Sequence, residues 1–423
     1  MEKNNQYKTP HTPSTELFNK VYDSSTDILR VNDRNNSHST YNELLTTVKN
    51  NTFLLKSNWG VSNLRDEVLS ENGGFTSFED GYIKLSTDTQ FNSSIFLRTI
   101  ERGQYIPGAD IEAGIGLEIP DLPTNSQEIK WGYFDRKNGF YFGVDKNGVF
   151  IGKRKGGVEE QRVYQQDWNE DVADGTGVTG INLDLKKGNI FQIFFSYYGF
   201  GPAKFFLKTT NPQTNKSELI LLHTLSVTSG RIVEDPNQPL SIEIGNGDDS
   251  NDSIDVLLAD RQVSTFTAAR DLKRRRTPIV RKGVTVGDDD FVPLISVRRK
   301  EYFPVEGYPN SVICNYLGQQ VRTSEDIEVI VTYGNESVGD FGSIDLVPDS
   351  ETALEVNYSP DSNTNKGRLI QSNLYIGGQG NRSITTESSN LFPLGNEIAM
   401  TIWAKSESGD STVGVVFNFE EQW

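Results

Sequence analysis

Residues 131–157 read WGYFDRKNGFYFGVDKNGVFIGKRKGG, and the fold is decided there. Side chains of an extended strand alternate between two faces, so Phe140, Phe142 and Val144 share one apolar face. Asp145-Lys146-Asn147-Gly148 follows, and Asn-Gly accepts the positive φ angles of a tight hairpin turn. Val149, Phe150 and Ile151 then begin a return strand. A second hairpin is written in residues 191–208, FQIFFSYYGFGPAKFFLK. Phe191, Ile193, Phe195 and Tyr197 form its apolar face, Gly199 to Pro202 break it, and Ala203, Phe205 and Leu207 resume it. The polar, glycine-rich excursion DWNEDVADGTGVTG at 167–180 separates the two and cannot belong to a central strand. Two aromatic hairpins joined by a decorated loop predict the heart of an antiparallel β-sandwich.

Working outward, 423 residues exceed one small core. Strand patterns return near the C-terminus: Ile327, Val329, Val331 and Tyr333 alternate, as do Leu354, Val356 and Tyr358, and later Val413, Val415, Phe417 and Phe419. The predicted fold class is all-β: two jelly-roll-like β-sandwich domains with an extended N-terminal arm. Residues 1–58 form the arm, with a short helix signalled by the capping pattern Thr40-x-x-Glu43. Its first 38 residues lack periodic apolar groups and read either as an element ordered by a partner or as a dispensable tail. Residues 59–260 form the main sandwich and 301–423 a smaller one. Between them, 261–300 carries TAARDLKRRRTPIVRKG and SVRRK, a basic interlude read as a linker or docking segment.

The motifs WGYFDxxNGFYFGVDxxGVFIGxRxGG and QxDWNEDxxDGTGxTGxxLDxxKxNIFQIxFxYYGxG carry a resemblance. So do ERGQYIPGADIEAGIGLEIP at Glu101–Pro120 and the looser runs at Leu221–Thr224 and Pro236–Ile244. Together they resemble a domain common in tailed-bacteriophage virion proteins, over roughly Trp59 to Ala259. The resemblance implies a particle component with a lectin-like or jelly-roll sandwich, located in the virion and made in the host cytoplasm. It does not say where in the particle the chain sits.

Composition narrows the function. A net charge of −17 repels a phosphate backbone, so no nucleic-acid partner is expected. Cys314 is the only cysteine, which excludes an intrachain disulfide and suits a reducing cytoplasm. The N-terminus lacks a secretory signal. The most apolar run, Ile190 to Leu207, is interrupted by Gln192, Ser196, Pro202 and Lys204, so no membrane span is expected.

Gly175-Thr-Gly177-Val-Thr-Gly180 matches GxGxxG, but a dinucleotide site needs a strand before and a helix after, and neither is written here. Asp167, Glu170, Asp171 and Asp174 could pair for glycoside hydrolysis or, with Asp248–Asp255, collect calcium. Acidic loops of an acidic protein are more commonly solvated. His11, His38 and His223 are too scattered for zinc, and no base lies beside a nucleophile. No catalytic residue, metal or cofactor is therefore expected. Lys273 to Arg276 suits protein docking better than nucleic acid.

Trp168, with Tyr197, Tyr198 and Phe200, could stack on sugars. Trp168 and Tyr198 are the candidate glycan contacts, with core packing as the alternative. Arg274, Arg275, Arg276, Arg298 and Arg299 are the candidate partner contacts. The expected function is a non-enzymatic structural protein of a tailed phage particle (head, neck or collar, tail fibre or baseplate). It docks on other virion proteins and works as a homo-oligomer. The alternatives are a carbohydrate-binding adhesion module for host surface glycan and a glycan depolymerase.

Overall fold

A computed structural model describes residues 22–23, 28–29, 49–213, 215–227, 230–266, 275–308, 310–335, 339–361, 366–377, 384–395 and 398–422. Both predicted hairpins form. Gly139–Asp145 pairs antiparallel with Gly148–Lys155, placing Phe142 opposite Ile151. Asn189–Phe195 pairs with Ala203–Asn211, placing Phe191 opposite Leu207. They lie in opposite sheets, and their apolar faces meet.

The seven-stranded sheet runs, edge to edge, through Val158–Tyr164, Gly148–Lys155, Gly139–Asp145, Glu128–Phe134, Leu240–Gly245, Ser94–Thr99 and Asp66–Glu71. The eight-stranded sheet runs through Lys216–Leu225, Ala203–Asn211, Asn189–Phe195, Asp110–Glu118, Asp255–Phe266, Tyr82–Ser86 and Phe75–Glu79. Lys49–Leu55 is its eighth strand and pairs with the second half of Asp255–Phe266. Aromatic rings join the sheets: Trp131 to Phe191 at 5.1 Å, Phe142 to Phe205 at 5.2 Å and Tyr133 to Phe195 at 5.3 Å between centroids. These side chains are completely buried or nearly so. Each such ring contributes on the order of 2–3 kcal/mol by leaving water.

The outer face of the seven-stranded sheet carries a second aromatic layer of Phe96, Phe134, Tyr141 and Phe150. Two glycines make room for it. A Cβ on Gly143 would lie 2.3 Å from the Phe150 ring, and one on Gly152 would lie 2.2 Å from the Tyr141 ring. Cations close this layer over: Arg162 sits 3.9 Å above Phe150, and Arg154 and Lys130 each lie 5.7 Å from Tyr141.

The second sandwich packs two more antiparallel sheets around one core. The four-stranded sheet is ordered Arg275–Val286, Ser411–Gln422, Ile313–Thr323, Ile384–Pro393. The five-stranded sheet is ordered Leu354–Asn357, Val292–Arg299, Ala399–Ser406, Ile327–Asn335, Arg368–Tyr375. The described parts of the basic interlude, 261–266 and 275–300, are therefore built mainly of sandwich strands and not of linker, while 267–274 lie outside the described residues. In Arg275–Val286 the residues Thr277 and Ile279 point inward, while Arg276, Pro278, Val280 and Lys282 point outward. The charge of one face hides the alternation of the other.

The first sandwich also exceeds its predicted limits of 59–260. It gains Lys49–Leu55, whose Phe53 and Leu55 enter the core, and its last strand runs on to Phe266. Within the expected arm, Tyr22–Asp23 pairs with Ile28–Leu29. The helix expected at Thr40–Glu43 lies outside the described residues.

The segment Glu234–Gln238 joins the two sandwiches. The Asn237 side-chain amide donates to the Ser311 carbonyl at 2.9 Å, and the Tyr308 hydroxyl donates to the Glu234 carbonyl at 2.7 Å. Beneath it Arg102 is buried between Asp135 (2.8 Å) and Asp235 (2.9 Å).

Candidate functional site

Two of the residues that the sequence marks for chemistry are structural. Trp168 is buried in the first core, and its indole N–H donates to the Val163 carbonyl at 3.2 Å, so it cannot stack on a sugar. Its polar neighbourhood in sequence is misleading, because the loop packs along the edge strand Lys216–Leu225, with Glu170 and Asp171 N–H donating to the Leu222 carbonyl. Asp171 is buried as well. It accepts from Ala173 N–H (2.8 Å), Thr179 N–H (2.9 Å) and the Thr179 hydroxyl (2.7 Å), holding the excursion in shape. Asp174 is exposed and accepts from the Thr176 hydroxyl and N–H, which hold its carboxyl below the usual range.

The glycine run 175–180 is a closed loop, with Gly175 N–H donating to the Ile181 carbonyl and no helix after it. His223 accepts from Asn169 N–H at 3.1 Å, and burial lowers its pKa. Among the described residues no three His, Cys, Asp or Glu side chains converge as metal ligands. No helix of the described residues is long and apolar enough to cross a membrane. Cys314 is free and buried, and burial pushes its thiol far up.

The five candidate arginines have different fates. Arg274 lies outside the described residues. Arg275 pairs with Glu351 of its own sandwich at 2.9 Å. Arg276 is exposed. Arg299 is buried, donating to the Asn310 carbonyl at 2.6 Å, so it is not a docking contact. The odd-numbered inward phase of its strand places it there. Arg298, one residue earlier, points out and lines a cleft.

That cleft is open and encloses about 730 Å³. Its floor is a cross-strand pair: Arg298 stands opposite Glu355, with Nε 2.5 Å from the carboxylate, and its guanidinium lies 4.1 Å from the Phe341 ring. One wall is braced by Lys300, whose ammonium donates to Asp349 Oδ1 (2.8 Å), the Asp349 carbonyl (2.7 Å) and the Thr352 carbonyl (2.8 Å). All three of its donors are spent, and this contact holds the Asp349 carboxyl low. Tyr302, Pro304, Val305 and Glu306 form the facing wall, with Ser343 and Ser350 at the rim. Lys137 of the first sandwich lies 4.8 Å from the Tyr302 ring, so both sandwiches fix this wall.

Tyr198 is exposed at a positive φ of 36° in the turn after Asn189–Phe195. It does not line the cleft. Gly199 accepts from Ile232 N–H, and Arg231 reaches Tyr308 at 3.3 Å, which ties that turn to the second sandwich. The outer face of the seven-stranded sheet has its charges matched internally. Arg162 binds Glu128, Asp145 and Glu159, and Arg154 binds Glu243. That face offers a ligand little.

Sequence reasoning finds Arg298 alone among the cleft residues. Glu355 is brought to Arg298 by strand register, Asp349 by its hydrogen bond to Lys300, and Tyr302 by the irregular segment that follows Arg298. Alternation in Val292–Arg299 and Leu354–Asn357 is the available signal.

Fold and cleft define an all-antiparallel protein of two β-sandwiches. No family model matches the chain, and no curated protein matches it. Among solved structures it is similar to the carbohydrate recognition domain of Emp47p: 12% identity, over 51% of this chain and 96% of that one, TM-score 0.31. It is also similar to lectin I-B4 from Griffonia simplicifolia in its metal-free form, at 13% identity over 52% of this chain and 100% of that one, TM-score 0.32. A third is a protein of unknown function, SO2946, from Shewanella oneidensis MR-1. It shares 10% identity over 62% of this chain and 98% of that one, TM-score 0.34. At such TM-scores the sandwich is defined by the chain's own sheets.

Proposed function

We propose that this protein binds carbohydrate in the cleft around Arg298 and Glu355, and that it does so without cleaving it. The observation that carries this reading is the chemistry of the cleft wall. Lys300 is fully committed, but the terminal nitrogens of Arg298, the Glu306 carboxylate and the Ser350 hydroxyl have no partner among the described residues. Such donors and acceptors, carried by a strand, a turn and a 3-10 turn beside the Tyr302 ring and Val305, suit a ligand with many hydroxyls and weakly apolar C–H faces. An apolar ligand would strip these groups of water without replacing the hydrogen bonds. A polyanion would meet Glu301, Glu306, Asp349 and Glu355 against only two cations, both already paired. The Lys300 contact holds the Asp349 carboxyl below the usual range, so it is ionised and unfit as a proton donor.

Equilibrium binding of the purified chain to a panel of bacterial surface polysaccharides tests the reading. At least one should bind, Tyr302→Ala and Glu306→Gln should each weaken it about tenfold or more, and polymer length should be unchanged. Binding that survives both substitutions would refute it.

The motif resemblance over roughly Trp59 to Ala259 supports a finer version of this reading. In it the chain is a component of a tailed phage particle, docked on other virion proteins and presenting the cleft to host glycan. Antibody against the chain should then label purified particles, and unlabelled particles would remove this version while leaving glycan binding intact.

A further inference from the structure

Arg275–Val286 is an edge strand of the four-stranded sheet. Its outward residues Arg276, Pro278, Val280 and Lys282 are all exposed. Beside them the turn Asp345-Leu346-Val347 completes an open groove of about 610 Å³, lined by Pro278, Val280, Lys282 and the turn itself. This groove shares no lining residue with the glycan cleft.

Leu346 is the unusual residue. Its φ is +66°, in the left-handed region that disfavours any side chain bearing a Cβ. Backbone bonds hold the turn, from Val347 N–H to the Ile344 carbonyl and from Asp345 N–H to the Tyr358 hydroxyl, but the Leu346 side chain is fully exposed and packs on nothing in its own chain. A strained residue persists when something outside its local conformation favours it. The flanking charges lack partners too: the side chains of Arg276 and Lys282, and the Asp345 carboxylate, form no ion pair among the described residues. Pro278 lacks an N–H, which bars simple strand addition along this edge and leaves a side-chain contact as the way to cover it.

The patch therefore holds a protruding apolar knob, an apolar groove, two cations and an anion. That set is self-complementary under a two-fold rotation, as an isologous contact requires. Copies of a chain with net charge −17 repel one another, and a face carrying Arg276 and Lys282 is where that repulsion turns to attraction. We infer that this groove is the contact of a symmetric dimer. Leu346 of each copy fills the groove between Pro278 and Val280 of the other, and Arg276 meets the partner's Asp345.

Sedimentation of the full chain over a dilution series, at low and high salt, tests this. Wild type should pass from monomer to dimer with concentration, and salt should weaken the dimer because exposed ion pairs are screened. Leu346→Gly relieves the backbone, so its unfolding temperature should be unchanged or higher while the dimer is lost. Arg276→Glu and Asp345→Arg should each be monomeric alone. Mixed together they should form a heterodimer, since both charge contacts are then restored with reversed or native sign. A wild type monomeric under all conditions would overturn the proposal. So would a dimer that survives Leu346→Gly, or one whose charge variants show no rescue on mixing. None of these residues lines the glycan cleft, so polysaccharide binding reports on that site separately.

Discussion

Asp171 accepts three hydrogen bonds while buried, and its removal would leave Ala173 N–H, Thr179 N–H and the Thr179 hydroxyl without that acceptor. Asp171→Ala should therefore cost about 2–4 kcal/mol in urea unfolding, with no change if the loop were a solvated ornament. The sequence displays this carboxylate in an acidic cluster, beside Asp167, Glu170 and Asp174, which are exposed. Composition cannot separate one buried acceptor from three solvated neighbours, because only the path of the loop decides which is covered. Trp168 is illegible for the same reason. The polar loop around Trp168 marks it for exposure, yet it is Tyr198, in a glycine-marked turn, that the structure leaves exposed.

At the scale of elements, both aromatic hairpins are legible, since alternation marks the strands and the breaks at Asp145–Gly148 and Gly199–Pro202 mark the turns. The outer aromatic layer is not. Tyr141 and Phe150 occupy the outward phase, where polar residues are the usual occupants, yet both are completely buried beneath Arg154, Arg162 and Lys130. Gly143 and Gly152 are the trace they leave in the sequence. Gly152→Ala should destabilise by about 1–3 kcal/mol, because the Tyr141 ring has no room to retreat. The check is the midpoint of denaturant unfolding, and an unchanged midpoint would mean the ring packs loosely. The basic strand Arg275–Val286 shows the converse error, in which outward arginines suggest a linker although Thr277 and Ile279 keep the inward period.

Across the whole molecule, the junction is polar and contains a shared guanidinium. Burial pushes the Asp235 carboxyl up to about 6, against the pull of Arg102 and with the help of Asp135. Arg102 and the backbone N–H groups of Asn138 and Lys137 hold Asp135 below its usual value despite its burial. An unfolded aspartate titrates near ~4. Between that value and about 6 the folded chain keeps a proton on Asp235 that the unfolded chain has lost. Its stabilising contribution is complete at lower pH and is lost as pH rises through about 6. Asp235→Asn, which stays neutral, should gain in unfolding temperature relative to wild type as pH rises across that interval. A constant difference would place the titration elsewhere. Nothing in the sequence announces this cluster, since Arg102, Asp135 and Asp235 are brought together by three separate segments.

The proposed glycan cleft is likewise a product of the whole fold, with Arg298 and Glu355 on paired strands, Tyr302 on the loop after Arg298 and Lys137 reaching in from the first sandwich. Amide hydrogen exchange of the full chain, with and without a bound polysaccharide, tests this placement directly. Protection should concentrate in residues 298–306 and 342–355, and should vanish in Tyr302→Ala. Protection centred instead on the outer face of the seven-stranded sheet, or on the turn at Tyr198, would contradict the assignment of the cleft as the binding site.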